Sequence, residues 1–151
     1  MLIERVTYLE QYNLNLLLDD SISEGYKMVQ KLQDEYTDGS NRFNRFGESL
    51  FVAIIDEEVI GIGGLNIDPY LDLIDVGRVR HLYVLPRHRS SGVGKKLLGM
   101  IIEEAKKYFR TVTLYTENPI ADKLYRNIGF SRAEGIQKAS HVLNLERKEG
   151  M

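Results

Sequence analysis

The chain has 151 residues, 43% hydrophobic and 28% charged, with no cysteine and a formal net charge of −2. That balance suits one soluble globular domain over residues 1–151, large enough to bury roughly two-thirds of its unfolded surface, and the absence of Cys excludes disulfides and thiolate chemistry. Met1 leads straight into Leu2-Ile3-Glu4-Arg5 rather than an export signal, and no apolar run approaches the ~20 residues of a membrane span, so a cytoplasmic location and no membrane partner are expected.

Charge is unevenly spread along the chain. Residues 1–76 hold 15 Asp or Glu against 5 Lys or Arg, while residues 77–151 hold 7 against 15. A basic half suits a polyanionic ligand and an acidic half suits a cationic one; two merely solvated surfaces are the plainer alternative.

Taken in order, Leu2 to Thr7 reads as a short first strand. Thr7-x-x-Glu10 and Ser21-x-x-Glu24 are capping-box patterns, which predict two helix starts. In the second helix Ile22, Tyr26, Val29, Leu32 and Tyr36 recur at helical spacing, a buried stripe. Asp38-Gly39-Ser40-Asn41 ends it, and a loop to Glu48 carries the mixed patch Arg42, Phe43, Arg45 and Phe46. Leu50 to Ile55 and Val59 to Asn66 are strands joined by a hairpin turn at Asp56-Glu57-Glu58, and Gly61, Gly63 and Gly64 suggest a bulge or a close backbone approach. Leu71 to Asp75 leads as a loop into a long strand ending near Val84. Ser91 to Tyr108 reads as a helix burying Val93, Leu97, Ile101, Ala105 and Tyr108, with Glu103, Glu104, Lys106 and Lys107 outward. The β-branched strand Thr111–Thr116 follows, parallel to the preceding strand by a right-handed crossover. Asn118 is a good N-cap with Pro119 at the first helical position, and Gly129 a good residue to end that helix. Ser131 to Lys138 and His141 to Glu146 close the chain as an antiparallel pair.

The chemistry concentrates in Val79 to Leu98. Between Arg78 and Lys96 there are six Arg or Lys and no acid. Here a β-rich run breaks at Pro86, passes through a basic turn with Gly92 and Gly94, and enters a helix. Such a turn exposes unpaired N–H groups beside the positive end of a helix dipole, a seat for phosphate. The N–H groups of Ser90, Ser91, Gly92, Val93, Gly94 and Lys95 would supply it. Arg89, Lys95 and Lys96 add charge; lysines in a first turn oppose the dipole, which is easier to explain if an anion binds there. A P-loop does not fit, because Arg89 stands at its first Gly position and Lys96 at its Ser/Thr position; G-x-G-x-x-G fails at Leu97. The residues present spell R-x-x-G-x-G, from Arg89 to Gly94.

With Leu82-Tyr83-Val84-Leu85-Pro86 ahead of it, this stretch resembles the signature of the GNAT superfamily of acyl-CoA N-acyltransferases. Asn118-Pro119-Ile120-Ala121-Asp122-Lys123-Leu124-Tyr125-Arg126-Asn127-Ile128-Gly129-Phe130 is similar to a second element of that family, N-x-x-A-x-x-L-Y-x-x-x-G-F. The resemblance spans roughly residues 50–147. It implies an α/β (α+β) fold: a mixed, mostly antiparallel sheet with helices on both faces and a central parallel strand pair that splays apart around the pantetheine arm. It further implies an acetyl-CoA-dependent N-acetyltransferase, with acetyl-CoA as co-substrate and no metal, acting by direct transfer to a primary amine of a small molecule or peptide. Leu82, Tyr83 and Val84 would act through main chain on pantetheine and the thioester oxygen. Asn118 either touches the carrier's amides or serves only as a cap. Tyr125, on the tyrosine of the second element, would be the general acid, since a phenol of pKa about 10 is protonated at neutral pH.

The general base is open. Many members of that family carry Glu where this chain has Arg78, which cannot accept a proton. His81 is a candidate replacement; Asp75, a water chain and an acceptor already neutral are the others. His88 and His141 join no Ser/His/Asp set legible in the sequence, and the His spacing offers no metal site. Two rival readings stand: a non-catalytic acyl-CoA-binding or sensing module, and a nucleic-acid patch over Arg78–Lys96, disfavoured by its single aromatic, Tyr83. No nucleic-acid partner is expected, and a homodimer is left open.

Overall fold

The computed structural model describes residues 1–145. Seven strands form one sheet: β1 (Leu2–Arg5), β2 (Ser49–Ile55), β3 (Glu58–Ile67), β4 (Val76–Val84), β5 (Thr111–Leu114), β6 (Ser131–Arg132) and β7 (His141–Asn144). Their order is β1-β2-β3-β4-β5-β7-β6. β4 and β5 are parallel and every other neighbouring pair is antiparallel. The helices are α1 (Asn15–Ser23), α2 (Met28–Asp38), α3 (Val93–Ala105) and α4 (Pro119–Ile128), with 3-10 turns at Leu9–Gln11 and Pro86–Ser91. This is the mixed sheet, covered on both faces, that the resemblance implies. Among the described residues no helix is long and apolar enough to cross a membrane.

Alternation along the strands builds two cores. Leu50, Val52, Ile60 and Ile62 face Leu17, Val29, Leu32 and Tyr36 of α1 and α2 on one side. Phe51, Leu65, Val79 and Val112 face Leu97, Leu98, Ile101 and Ala105 of α3 on the other, together with Tyr125 and Phe130. Asn118 caps α4 as its sequence predicts, accepting from the Ile120 N–H at 2.9 Å. The hairpin turn is tighter than expected: Asp56 and Glu57, both at positive φ, connect β2 to β3 directly.

The N-terminal third departs from the sequence pattern. No helix starts at Thr7, and Ser21 caps nothing: it lies inside α1, and its hydroxyl donates back to the Leu18 carbonyl at 2.9 Å. The expected single stripe is cut by Gly25, whose φ of 85° ends the first helix. Val29, Leu32 and Tyr36 are buried as expected, whereas Ile22, in α1, and Tyr26, in the link between the two helices, are exposed. Glu104 is also turned inward rather than outward. It accepts from Arg5 at 2.8 Å and Lys107 at 3.0 Å, tying α3 to β1. β6 keeps only two residues of the expected long strand. Glu146, the predicted end of the last strand, lies outside the described residues.

The loop from Gly39 to Glu48 is held by polar contacts that no local pattern announces. Asn41 and Asn66 exchange two amide hydrogen bonds of 2.9 Å. The buried Glu48 carboxylate accepts from Asn66 Nδ2 at 3.0 Å and from the Ile67 N–H at 2.9 Å. These bonds press the Phe43 ring onto Gly64, where an added Cβ would overlap the ring. Gly64→Ala is therefore expected to lower stability by about 1–3 kcal/mol, the usual cost of overpacking, read as a lower urea midpoint with an unchanged slope.

Candidate active site

β4 and β5 begin side by side and then part. Their register is Val76 with Thr111, Gly77 with Val112 and Arg78 with Thr113, and pairing ends there although β4 runs on to Val84. The opening holds a cavity of about 510 Å³ along β4, from Arg78 and Tyr70 at one end to Gly92, Gly94 and Lys95 at the other. On its α4 side lie Asn118, Ile120, Ala121, Leu124 and Tyr125.

The fork is braced at its base and at both tips. At the base, Asp68 takes Arg78 Nη2 at 3.1 Å and the Thr113 hydroxyl at 2.6 Å. Arg78, whose side chain is 4% exposed, also donates to the carbonyls of Lys138 at 2.7 Å and Gln137 at 3.2 Å, and its guanidinium lies 4.7 Å from the Tyr70 ring. At the β4 tip, Arg89 Nε donates to the Val84 carbonyl at 2.8 Å and Nη2 meets Glu24 at 2.6 Å. Arg89, one of the three cations expected to add charge beside a phosphate, is thus engaged within the protein. Tyr83 Oη lies 2.5 Å from both Asp20 Oδ2 and Glu24 Oε1, so one proton serves two carboxylates. Burial, reinforced by those carboxylates, holds this phenol well above its usual value. At the β5 tip, the Ser140 N–H donates to the Leu114 carbonyl and the Thr116 N–H donates to Ser140 Oγ, both at 2.8 Å.

Ser140 belongs to a chain that the sequence did not reveal. Ser140 Oγ lies 2.7 Å from His141 Nδ1, and His141 Nε2 lies 2.6 Å from Asp122 Oδ1. A Ser/His/Asp set therefore exists, but it is structural: its serine is bound to two main-chain groups and its histidine is buried. Hydrogen bonds from His141, then from Arg126, keep the Asp122 carboxyl below its ordinary range. The chain anchors α4 to β7, and the Tyr125 ring packs 5.9 Å from His141 and 5.6 Å from Phe130.

Among the sequence-selected residues, His81, Leu82, Tyr83, Val84, Arg89, Gly92, Gly94, Lys95, Asn118 and Tyr125 all line the cavity. Ser90, Ser91, Val93 and Lys96 do not: Val93 is buried in the core, and the Ser91 hydroxyl donates to the His88 carbonyl. Gly92 sits at φ 81° with nothing within 4 Å of an added Cβ, so its backbone faces open space. Tyr125 is buried, and burial raises its phenol above the usual value, so the hydroxyl keeps its proton.

His81 occupies a bulge. Ile62 pairs with Tyr83 and Gly64 with Arg80, so His81 and Leu82 together oppose Gly63 alone. The glycines anticipated such a distortion, but the extra residue is on β4, and His81 carries it at φ 60°. Its Nε2 is buried without a hydrogen-bond partner. Burial, with the charges of Arg80 and Lys31, pushes its pKa down to about 4, against a hydrogen bond with the Met28 backbone. His81 is neutral at physiological pH. Arg80, the cavity-lining residue beside it, was not singled out by sequence; nor were Met28 and Tyr70, which join the site from distant segments together with Tyr26, assigned by sequence to a buried stripe.

A parallel pair that parts beside a glycine turn entering a helix is the arrangement the resemblance to acyl-CoA acyltransferases implies. A family model described as the acetyltransferase (GNAT) family matches residues 14–130. A provisionally named acetyltransferase from Exiguobacterium sp. 255-15 is 35% identical, with a TM-score of 0.85 over 95% of this chain and 92% of that one. Two more distant structures share the fold. An acetyltransferase of GNAT family from Staphylococcus aureus Mu50 is 19% identical, with a TM-score of 0.71 over 96% and 100% of the two chains. The Salmonella typhimurium protein yncA, solved with its cofactor acetyl-CoA, is 15% identical, with a TM-score of 0.71 over 98% and 95%. The chain belongs to the GNAT acetyltransferase family, and its enzyme class is acyltransferase.

The brace at the β4 tip carries a pH signature. Hydrogen bonds from Arg89, then from Tyr83, hold the Glu24 carboxyl below its ordinary 4.5. A depressed carboxylate contributes stability above its unfolded value, and that contribution is lost as pH falls through the lower folded one. Glu24→Gln is expected to be less stable than the parent at pH 7, with the gap closing below pH 4.5 in urea titrations across pH.

Proposed function

We propose that residues 1–151 act as one acetyl-CoA-dependent N-acetyltransferase domain, moving an acetyl group directly to a primary amine in a ternary complex. The observation carrying this reading is the parting of β4 from β5 after Arg78 and Thr113, which opens one continuous cavity onto the left-handed Gly92 turn. The residues present fit the coenzyme. Val93, Gly94 and Lys95 are the first residues of α3, where intrahelical partners are missing, and the backbone before them is unobstructed at Gly92. Those N–H groups would hold the diphosphate with Lys95, and the unpaired β5-facing edge of β4 would hold the pantetheine amides. Bound acetyl-CoA supplies an acetyl group activated as a thioester.

The chain's own residues then divide the remaining work. Main-chain N–H groups near the His81 bulge polarise the carbonyl, an effect worth roughly 3–4 kcal/mol in other acyl transfers. Tyr125 Oη holds a proton that it gives to the departing sulfur as the C–S bond breaks, and solvent replaces it. His81 Nε2 accepts a hydrogen bond from the amine and aims its lone pair. With a pKa of about 4, His81 retains no proton afterwards and passes it to water. Arg78, in the position of the family's Glu, is held by Asp68 in the brace of the fork and takes no part in proton transfer.

Two variants test this. Tyr125→Phe should lower kcat by about 10- to 10⁴-fold in a thiol-release assay with near-normal acetyl-CoA affinity, and an unchanged rate would remove Tyr125 from the mechanism. Asn tolerates the left-handed region, so Gly92→Asn should keep the melting temperature within a few degrees while raising the acetyl-CoA Kd about tenfold or more by calorimetry. Normal affinity in that variant would refute the cradle.

A further inference from the structure

We propose that the amine acceptor also bears a small anionic group, a carboxylate or a phosphate, and that Arg80 receives it at the end of the cavity away from the Gly92 turn. This rests on the acetyltransferase reading above and adds the class of acceptor. Four charged side chains line the cavity, Arg78, Arg80, Arg89 and Lys95, and no Asp or Glu joins them. Three are accounted for: Arg89 by Glu24 and the Val84 carbonyl, Arg78 by Asp68, and Lys95 by the coenzyme diphosphate proposed above.

Arg80 is not accounted for. It is half-buried, and among the described residues no carboxylate lies within ion-pair distance and no protein group takes a hydrogen bond from it. A partly desolvated cation without a partner is unfavourable, and a bound anion removes the penalty. A second observation points to the same end of the cavity. Arg78 is almost wholly buried there, and its Nε is without a partner.

Arg80 stands four residues before Val84, about 13 Å of strand or less given the bulge, far enough from the cradle to serve a different ligand. His81, between the two, carries no charge to compete for the anion. The nearby acids are committed elsewhere: Asp68 to Arg78 and Thr113, Asp20 to Tyr83, and Glu24 to Tyr83 and Arg89. The acidic N-terminal half therefore presents no carboxylate to an acceptor inside this cavity. A planar guanidinium fork matches both carboxylate and phosphate oxygens.

Matched acceptors test the proposal at saturating acetyl-CoA: the common amino acids against their carboxamides, and phosphoethanolamine against ethanolamine. Anionic members of one of these sets should have kcat/KM about tenfold or more above their neutral partners. Arg80→Gln should abolish that preference through KM, Arg80→Lys should keep part of it, and both should bind acetyl-CoA normally by calorimetry. Preference in the amino-acid set identifies a carboxylate, and preference in the other a phosphate. Neutral acceptors used as well as anionic ones, a preference surviving Arg80→Gln, or no turnover of any anionic acceptor by protein that binds acetyl-CoA would each overturn it. Failure to bind acetyl-CoA at all would instead overturn the acetyltransferase reading, and this inference with it.

Discussion

Two parallel strands cannot part without leaving main-chain groups unpaired, and most of the polar architecture of this protein answers that constraint. The ladder between β4 and β5 ends at Arg78 and Thr113. At that point the Asp68 carboxylate binds both a guanidinium and a hydroxyl, one from each strand. Further along, Arg89 takes up the Val84 carbonyl, and Ser140 takes up the Leu114 carbonyl and the Thr116 N–H. The inner edge of β4 is left for a ligand.

The braces also connect the site to both cores. Arg89 and Tyr83 meet Asp20 and Glu24 at the end of α1, so the strand tip is fixed by the helix layer that buries Leu17, Leu32 and Ile62. On the other face, Asp122, His141 and Ser140 link α4 to the sheet, and Tyr125 packs against the same imidazole. Packing on two sides has already selected the position of this tyrosine in the cavity wall. The substitution of Arg78 for an expected Glu follows the same logic. A buried cation at the fork's base, with Asp68 as its partner, adds rigidity where a carboxylate would have added a base.

The electrostatic pattern changes meaning once the chain is folded. Residues 1–76 are acidic overall, yet their carboxylates nearest the site are spent on Arg78, Arg89, Thr113 and Tyr83. What faces the cavity is cationic at both ends, with a neutral histidine and a tyrosine between them. Net charge counts side chains, whereas a ligand meets only those that internal partners have not already taken.

Local sequence determined most of the elements and the glycine turn that enters α3. R-x-x-G-x-G after Pro86, the Asn118-Pro119 cap and the 3.6-residue stripe of α3 act over a few residues, through backbone geometry and helix ends. The same local signals misplaced the first two helices, because Gly25 and the side-chain bond of Ser21 to Leu18 outweighed an apparent capping box. Tertiary structure alone decided the bulge at His81, the freedom of Arg80, and the partners of Arg78, Tyr83 and His141. Apart from Ser140 beside His141, those pairs join residues between 10 and 63 positions apart, as in Asp68 with Arg78 and Asp20 with Tyr83. A chain's local preferences carry no record of such separations; only the closed sheet brings the groups within hydrogen-bond distance.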